Sequence, residues 1–255
     1  MKVAVCYKCV PFNEAIEVNR DRSLDFSKCS WEIGQYDLNA AEAGVQLADQ
    51  AGAEAVALTA NIPAVAGDSK LRKSILCRGM SQQYAVEDEV FASADSLVTA
   101  KALKAAVEKI EDVEVVVCGE GSGDIYAQQV GNTLGALLGW TTLNAVSKAE
   151  YVGDKLNVER NVSDGIEQLT VELPVVLSVT SEINHPRVPS FKEIMAAGKK
   201  PFTIWKLGEI ESDFAPAYNT LGILAPETAE RKQIIIDGNE EGALDEFVSY
   251  IKKAL

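Results

Sequence analysis

A single histidine, His185, occurs in the 255 residues. Metal sites built on imidazole are excluded, and any histidine catalysis would fall to that one side chain. Cysteine is sparse and odd in number: Cys6, Cys9, Cys29, Cys77 and Cys118. A chain of this length needs no staples, and such usage is that of reduced thiols in a cytosol. Basic residues are outnumbered, 24 against 38 acidic ones, for a formal charge of −14. A field of that sign repels a phosphate backbone and argues against nucleic-acid partners. It leaves room for a small nucleotide, because backbone amides hold phosphate without a side-chain cation. No stretch approaches the ~20 apolar residues of a membrane span, and the apolar start at residues 3–7, broken by Lys8, is too short for a signal sequence. A cytoplasmic protein is expected.

What is present is the grammar of an α/β domain. Residues 3–7 read as a buried strand, closed by Pro11, and 13–34 as an irregular excursion with a short hairpin. From Asp37, a candidate N-cap, Leu38, Ala41, Val45 and Leu47 recur at helical spacing. Residues 55–60 form a second apolar run, 65–77 a helix, 84–86 a weak strand and 95–110 a strongly amphipathic helix. The clearest strand, 113–118, runs into Gly119-Glu120-Gly121-Ser122-Gly123-Asp124, with a helix expected from there to about 138. Strand and helix alternating over short connections predict a doubly wound parallel sheet. After Trp140, strands at 149–152, 156–162, 167–173 and 175–180, joined by turns such as Gly153-Asp154, predict antiparallel hairpins appended to that sheet. A short helix spans 190–197. Residues 202–232 lack a sustained period but carry Phe202, Trp205, Phe214 and Leu221, apolar payload that a free linker would not hold. We read an α/β domain over 1–201 and, over 202–255, an arm wrapped around a partner and ending in an amphipathic helix from Asp245.

The glycine-rich turn carries the strongest local chemistry. Small residues at a strand end let a ligand approach the backbone, and a following helix start offers unpaired N–H groups with partial positive charge. Asp124 would cap that helix and orient those amides. The turn lacks the lysine of a P-loop and departs from G-x-G-x-x-G, so a ligand-free strand-to-helix turn stands beside the phosphate reading. Cys6-Tyr7-Lys8-Cys9 admits a redox dithiol or half a zinc site. No second cysteine pair exists, and strand-end alternation, with one thiol packed and one partly exposed, accounts for it as well. No catalytic constellation and no metal site emerges, which points to a carrier or binding subunit.

The chain resembles the β subunit of electron transfer flavoproteins, and within that family the FixA branch. The resemblance rests on residues 3–11, on Gln35-Tyr36-Asp37-Leu38-Asn39-Ala40-Ala41-Glu42-Ala43, on Gly119 through Gly131, and on Val158-Glu159-Arg160 and Asp164-Gly165-Ile166-Glu167. It continues through Leu173-Pro174-Val175-Val176-Leu177-Ser178, Asn184-His185-Pro186-Arg187, Ser190-Phe191-Lys192-Glu193-Ile194-Met195 and Gly198-Lys199-Lys200-Pro201. Ser163 departs from the usual acid of the signature. The resemblance implies an adenine-nucleotide-hydrolase-like fold and a heterodimer with an α subunit sharing FAD. It also implies AMP or a second FAD in this chain, and electron exchange with acyl-CoA dehydrogenase-like reductases, including flavin-based bifurcation or carnitine reduction. The implied nucleotide shell is Cys6, Gly34, Gln35, Tyr36, Asp37, Ala60, Gly121, Ser122, Gly123, Asp124, Ile125, Tyr126, Ala127, Gln128, Gln129, Val130, Gly131 and Asn132, with Phe191 in the peptide that docks on partners. Tyr126, Ala127 and Asn132 depart from the bifurcating pattern, so FAD is favoured over AMP only modestly. A nucleotide-binding regulatory module of the universal-stress-protein type is the alternative; it has no use for residues 202–255.

Overall fold

The computed structural model describes residues 1–211, 213–227 and 232–254. Strand β1 (Lys2–Cys6) leads into an excursion made of β2 (Cys9–Pro11), the two-residue pair β3 (Glu17–Val18) and β4 (Leu24–Asp25), and β5 (Trp31–Ile33). Helix α1 (Gln35–Ala51) returns the chain to β6 (Glu54–Asn61), followed by α2 (Pro63–Ala66), α3 (Ser69–Leu76), β7 (Gln82–Glu87) and α4 (Ser96–Lys109). Next come β8 (Val113–Gly119), α5 (Val130–Leu138), β9 (Thr141–Val152), β10 (Lys155–Val162), β11 (Gly165–Glu172) and β12 (Val175–Val179). The chain ends with α6 (Phe191–Ala197), β13 (Phe202–Lys206), α7 (Leu207–Ile210) and α8 (Ala243–Ala254).

Nine strands form one sheet in the order β11-β10-β9-β12-β8-β1-β6-β7-β13. From β9 to β13 across the sheet every pairing is parallel, and β10 and β11 extend it as antiparallel hairpins. The doubly wound parallel sheet with appended hairpins is thus as expected. Its central strands are apolar on both faces because each face is covered. Val3, Val5 and Ala57 pack with α1 and α3, whereas Ala4, Val56, Val116 and Leu134 lie in the layer built around α4 and α5. No helix of the described residues is long and apolar enough to cross a membrane.

Several boundaries fall elsewhere than the periodicity suggests. Helix α1 begins at Gln35 behind Gly34, which leaves Asp37 buried in its first turn and not at the cap. The segment 65–77 is two helices, because Asp68 accepts the Lys70 and Leu71 amides and restarts the helix as an N-cap. Residues 202–206, expected in the arm, are an edge strand in register with β7, and Leu207 behind them is wholly buried. The α/β sheet therefore takes in residues beyond 201. The expected last helix is present as α8, and Leu255, its expected end, lies outside the described residues.

Beyond α7, α8 is the one helix or strand among the described residues, and several of the residues before it meet the body. Lys101 pairs with Asp213 at 2.7 Å. The buried carboxylate of Asp95 caps α4 through the Val98 amide and also accepts the Ala217 amide at 2.6 Å. Leu224 bridges to Ser23 in the N-terminal excursion, next to an Arg22–Glu227 ion pair.

Candidate functional site

From β1 the chain builds outward on one side through β6 and β7 and then crosses to β8 on the other, where β9 and β12 follow; β13 returns last to the β7 edge. The direction of winding reverses between β1 and β8. At such a point the flanking helices leave on opposite faces and a crevice opens at the carboxyl ends of the strands. Here α1 departs on one face and α5 on the other. Gly119, the last residue of β8, makes the approach possible: a Cβ there would stand 2.7 Å from Asp37 Oδ1 and 2.9 Å from the Tyr36 side chain.

The floor of the crevice is made by Cys6 and Cys118, neighbours one step beyond the Val5–Val117 pair. Both are buried, and the Cys6 thiol is pushed well above its ordinary value by the hydrogen bond with Cys118 and by desolvation. Cys9, expected to be the partly exposed member of the C-x-x-C, is buried as well, and burial raises its thiol to about 12. Its short strand β2 pairs with β5, which closes over it. Thiols held this firmly protonated are poor nucleophiles, so the packing reading of this motif prevails over the dithiol.

Asp37 ties three segments together. Its carboxylate accepts the Lys8 amide at 2.8 Å and the Gly119 amide, while the Gly34 amide returns to the Lys8 carbonyl at 2.9 Å. Burial pushes Asp37 up to about 7; the two amides and the Lys8 ammonium oppose that rise without cancelling it.

The glycine loop departs from expectation. Asp124 caps no helix, because α5 begins only at Val130, after Gln129. Residues 125–129 have helix-like composition, but Tyr126 and Gln128 sit at φ 53° and 54°, left-handed positions that a right-handed helix cannot include. The Asp124 carboxylate instead receives the Ile125 amide at 2.8 Å and Lys8 Nζ at 2.8 and 2.6 Å. Desolvation raises its pKa, yet Lys8 and the Ser122 hydroxyl hold it below the usual carboxylate value on balance. The Tyr126 ring lies over Gly121 and meets the Tyr36 ring at a centroid distance of 5.3 Å.

The structure thus brings together Cys6, Gly34, Gln35, Tyr36, Asp37, Gly121, Ser122, Gly123, Asp124 and Tyr126. Ile125, Ala127 and Gln128 form an exposed rim. Gln129 turns towards Ser96, whose hydroxyl donates to its amide oxygen at 2.6 Å. Val130, Gly131 and Asn132 occupy the first turn of α5, with Gly131 packed against Ser178. Ala60 lies near the end of β6, on the far side of β1 from the glycine loop. Lys8, the residue that joins both walls, was not among the sequence candidates, although it is the one Lys or Arg within 6–10, 34–37, 59–61 and 119–132.

These residues fit an adenine nucleotide. Among the described residues the Gly123, Ala127 and Gln128 amides find no acceptor, and a Cβ on Gly123 would meet nothing within 4 Å. Such a loop offers free N–H donors and open space to phosphate, and Tyr36 and Tyr126 offer aromatic surface to a base.

Phe191 lies outside the crevice, on α6. Helix α1 also holds the segment before it: the Asn39 amide donates to the Asn184 carbonyl at 2.9 Å, and Glu42 takes Arg187 in a two-point ion pair at 2.6 and 3.0 Å. A capping box of Ser190 and Glu193 starts α6, leaving Val188, Phe191, Ile194 and Met195 exposed side by side in sequence.

A family description, electron transfer flavoprotein domain, matches residues 25–210, from the end of β4 through α7, with β1 and Lys8 outside the match. Proteins of this family bind flavin and are in general electron carriers, not enzymes. With that match over most of its length and the doubly wound sheet beneath it, the chain belongs to the electron transfer flavoprotein family.

Proposed function

We propose that this chain is the β subunit of an electron transfer flavoprotein, working as a heterodimer with an α subunit and holding an adenine nucleotide in the crevice between β1 and β8. The observation that carries the reading is the crevice itself, where the glycine loop, the α1 start and Lys8 converge at the reversal of winding in a chain of this family. The nucleotide is a second FAD or AMP, with FAD favoured, and the redox FAD is shared with the α subunit. When bound, flavin supplies the electron-carrying ring. This chain's own residues bind and orient: loop amides and Ser122 take phosphate, while Tyr36 and Tyr126 shield a ring from water. The exposed residues around Phe191 dock an acyl-CoA dehydrogenase-like reductase, and residues beyond α7 embrace the α subunit. The FixA branch, with bifurcation or carnitine reduction as its setting, is the finer assignment within this reading.

Co-expression with an α subunit of the same family tests the proposal. A heterodimer should purify with a flavin spectrum, and acid release should give either two FAD or one FAD and one AMP per heterodimer. A monomeric chain without flavin or AMP would refute it. Phe191→Ala should leave those contents unchanged and slow electron delivery to the reductase.

A further inference from the structure

We propose that Lys8 is the cation that meets the phosphate of the bound nucleotide, held in place by Asp124, which acts as its positioning residue. The inference rests on the nucleotide reading above and adds to it a residue outside the glycine loop.

Within the segments 6–10, 34–37 and 119–132 the acids are Asp37, Glu120 and Asp124, and the one Lys or Arg is Lys8. In a chain of charge −14 the loop amides hold phosphate against an acidic field, and a cation at the contact offsets that field. Lys8 Nζ reaches both oxygens of Asp124, 116 positions away in the chain, at 2.8 and 2.6 Å. Two of its three protons are thereby used and one is free. The pair spans the two walls of the crevice, the residue after β1 on one side and the loop after β8 on the other.

Stability does not account for it, since partly exposed ion pairs contribute little. Orientation does. A lysine on four methylenes is a mobile point charge; fixed at two points by Asp124 it becomes a preorganised donor. The Asp37 carboxylate holds the Lys8 backbone amide at 2.8 Å, so the lysine is fixed at both its main chain and its ammonium.

The test uses the full chain freed of nucleotide and two probes, AMP and adenosine, titrated by calorimetry. Lys8→Met should weaken AMP about tenfold or more, the range of a charge-assisted hydrogen bond, and leave adenosine unchanged. Lys8→Arg should restore most of the AMP affinity. Asp124→Asn should fall between, and raising salt should weaken AMP binding to the parent more steeply than to Lys8→Met. Unchanged AMP affinity in Lys8→Met, or an equal loss for both probes, overturns the proposal. If the parent binds AMP no better than adenosine, the phosphate contact is refuted while the nucleotide site stands. If the parent binds neither, the site itself is refuted, and the phosphate contact with it. Should Lys8→Met melt early, Lys8→Gln is read in its place against the same adenosine control.

Discussion

The sheet and the C-terminal arm are both rich in apolar residues, and they treat them in opposite ways. Val3, Val56, Val116 and Val176 sit in central strands with no exposed surface, covered on both faces by helices of the same chain. Beyond α7, Leu221, Ile235, Leu244 and Phe247 lie largely in water. Helix α8 carries Leu244, Phe247, Val248 and Ile251 at the spacing of one helical face, and every one of them is exposed. Burial of apolar surface is worth about 25 cal/mol per Å², so a stripe left uncovered forgoes a gain that the sheet collects in full. The difference teaches where the second layer comes from. The sheet brings its own; the stripe on α8 receives none from the described residues of this chain.

The largest effect that would break this contrast is removal of the arm. Truncation after Glu211 keeps β13 and the buried Leu207, so the remaining chain should unfold at the parent's urea midpoint, with a helical circular dichroism signal lowered only by the loss of α8, and fail to co-elute with the α subunit. Truncation after Lys200 should differ, because it strips an edge strand and a core leucine from the body; early melting is expected there. A shortened chain that still co-elutes would show that the arm is not the main interface.

Next come single core residues. Leu58→Ala, at a wholly buried position of β6, should cost about 2–5 kcal/mol in urea unfolding, the range for deleting a buried leucine. Leu221→Ser should leave the isolated chain unchanged and weaken only the heterodimer.

Asp95 sharpens the boundary between the two regions, because one carboxylate serves both. Asp95→Ala removes the cap of α4 and the acceptor of Ala217, and should cost about 1–2 kcal/mol. Limited proteolysis should then cut the residues beyond α7 faster than in the parent, at equal digestion of the body.

A further effect is one of pH. Asp37 has its folded pKa raised by burial to about 7, from an ordinary 3.8. The folded state therefore binds this proton more tightly than the unfolded chain does. Its contribution is complete below the unfolded value and is lost as pH rises through about 7. The parent's urea midpoint should accordingly decline between mildly acidic and neutral pH from this group. Asp37→Asn should flatten that part of the profile; an unaltered slope would show that the carboxylate does not titrate there.

Much of the fold was legible because its strands are buried on both faces, and continuous apolar runs such as 55–60 and 113–118 have few other uses. The glycine loop was legible as a break in regular structure at the end of β8. Its conformation was not. Ile125 to Gln129 reads as helix by composition, and only the left-handed Tyr126 and Gln128 reveal a loop. Asp68 was visible as a capping residue and overlooked within a longer helical pattern. Residues 202–206 alternate as an edge strand should, but an isolated five-residue run after Pro201 looks the same whether or not a sheet edge waits for it. Lys8 escaped for a related reason: a lysine after a strand is ordinary until the fold delivers Asp124 opposite.

The contact between Leu224 and the N-terminal excursion bears on the order of events in folding. Arg22 and Glu227, which flank it, are 205 positions apart, so this clasp closes one of the longest loops the chain possesses. Loop closure of that span is slow and entropically costly relative to the neighbouring strand pairings of the sheet. The clasp therefore forms after the strand pairings of the sheet, and the surface it shapes, joining the excursion to the segment around Leu224, is complete only once the sheet beneath it has folded.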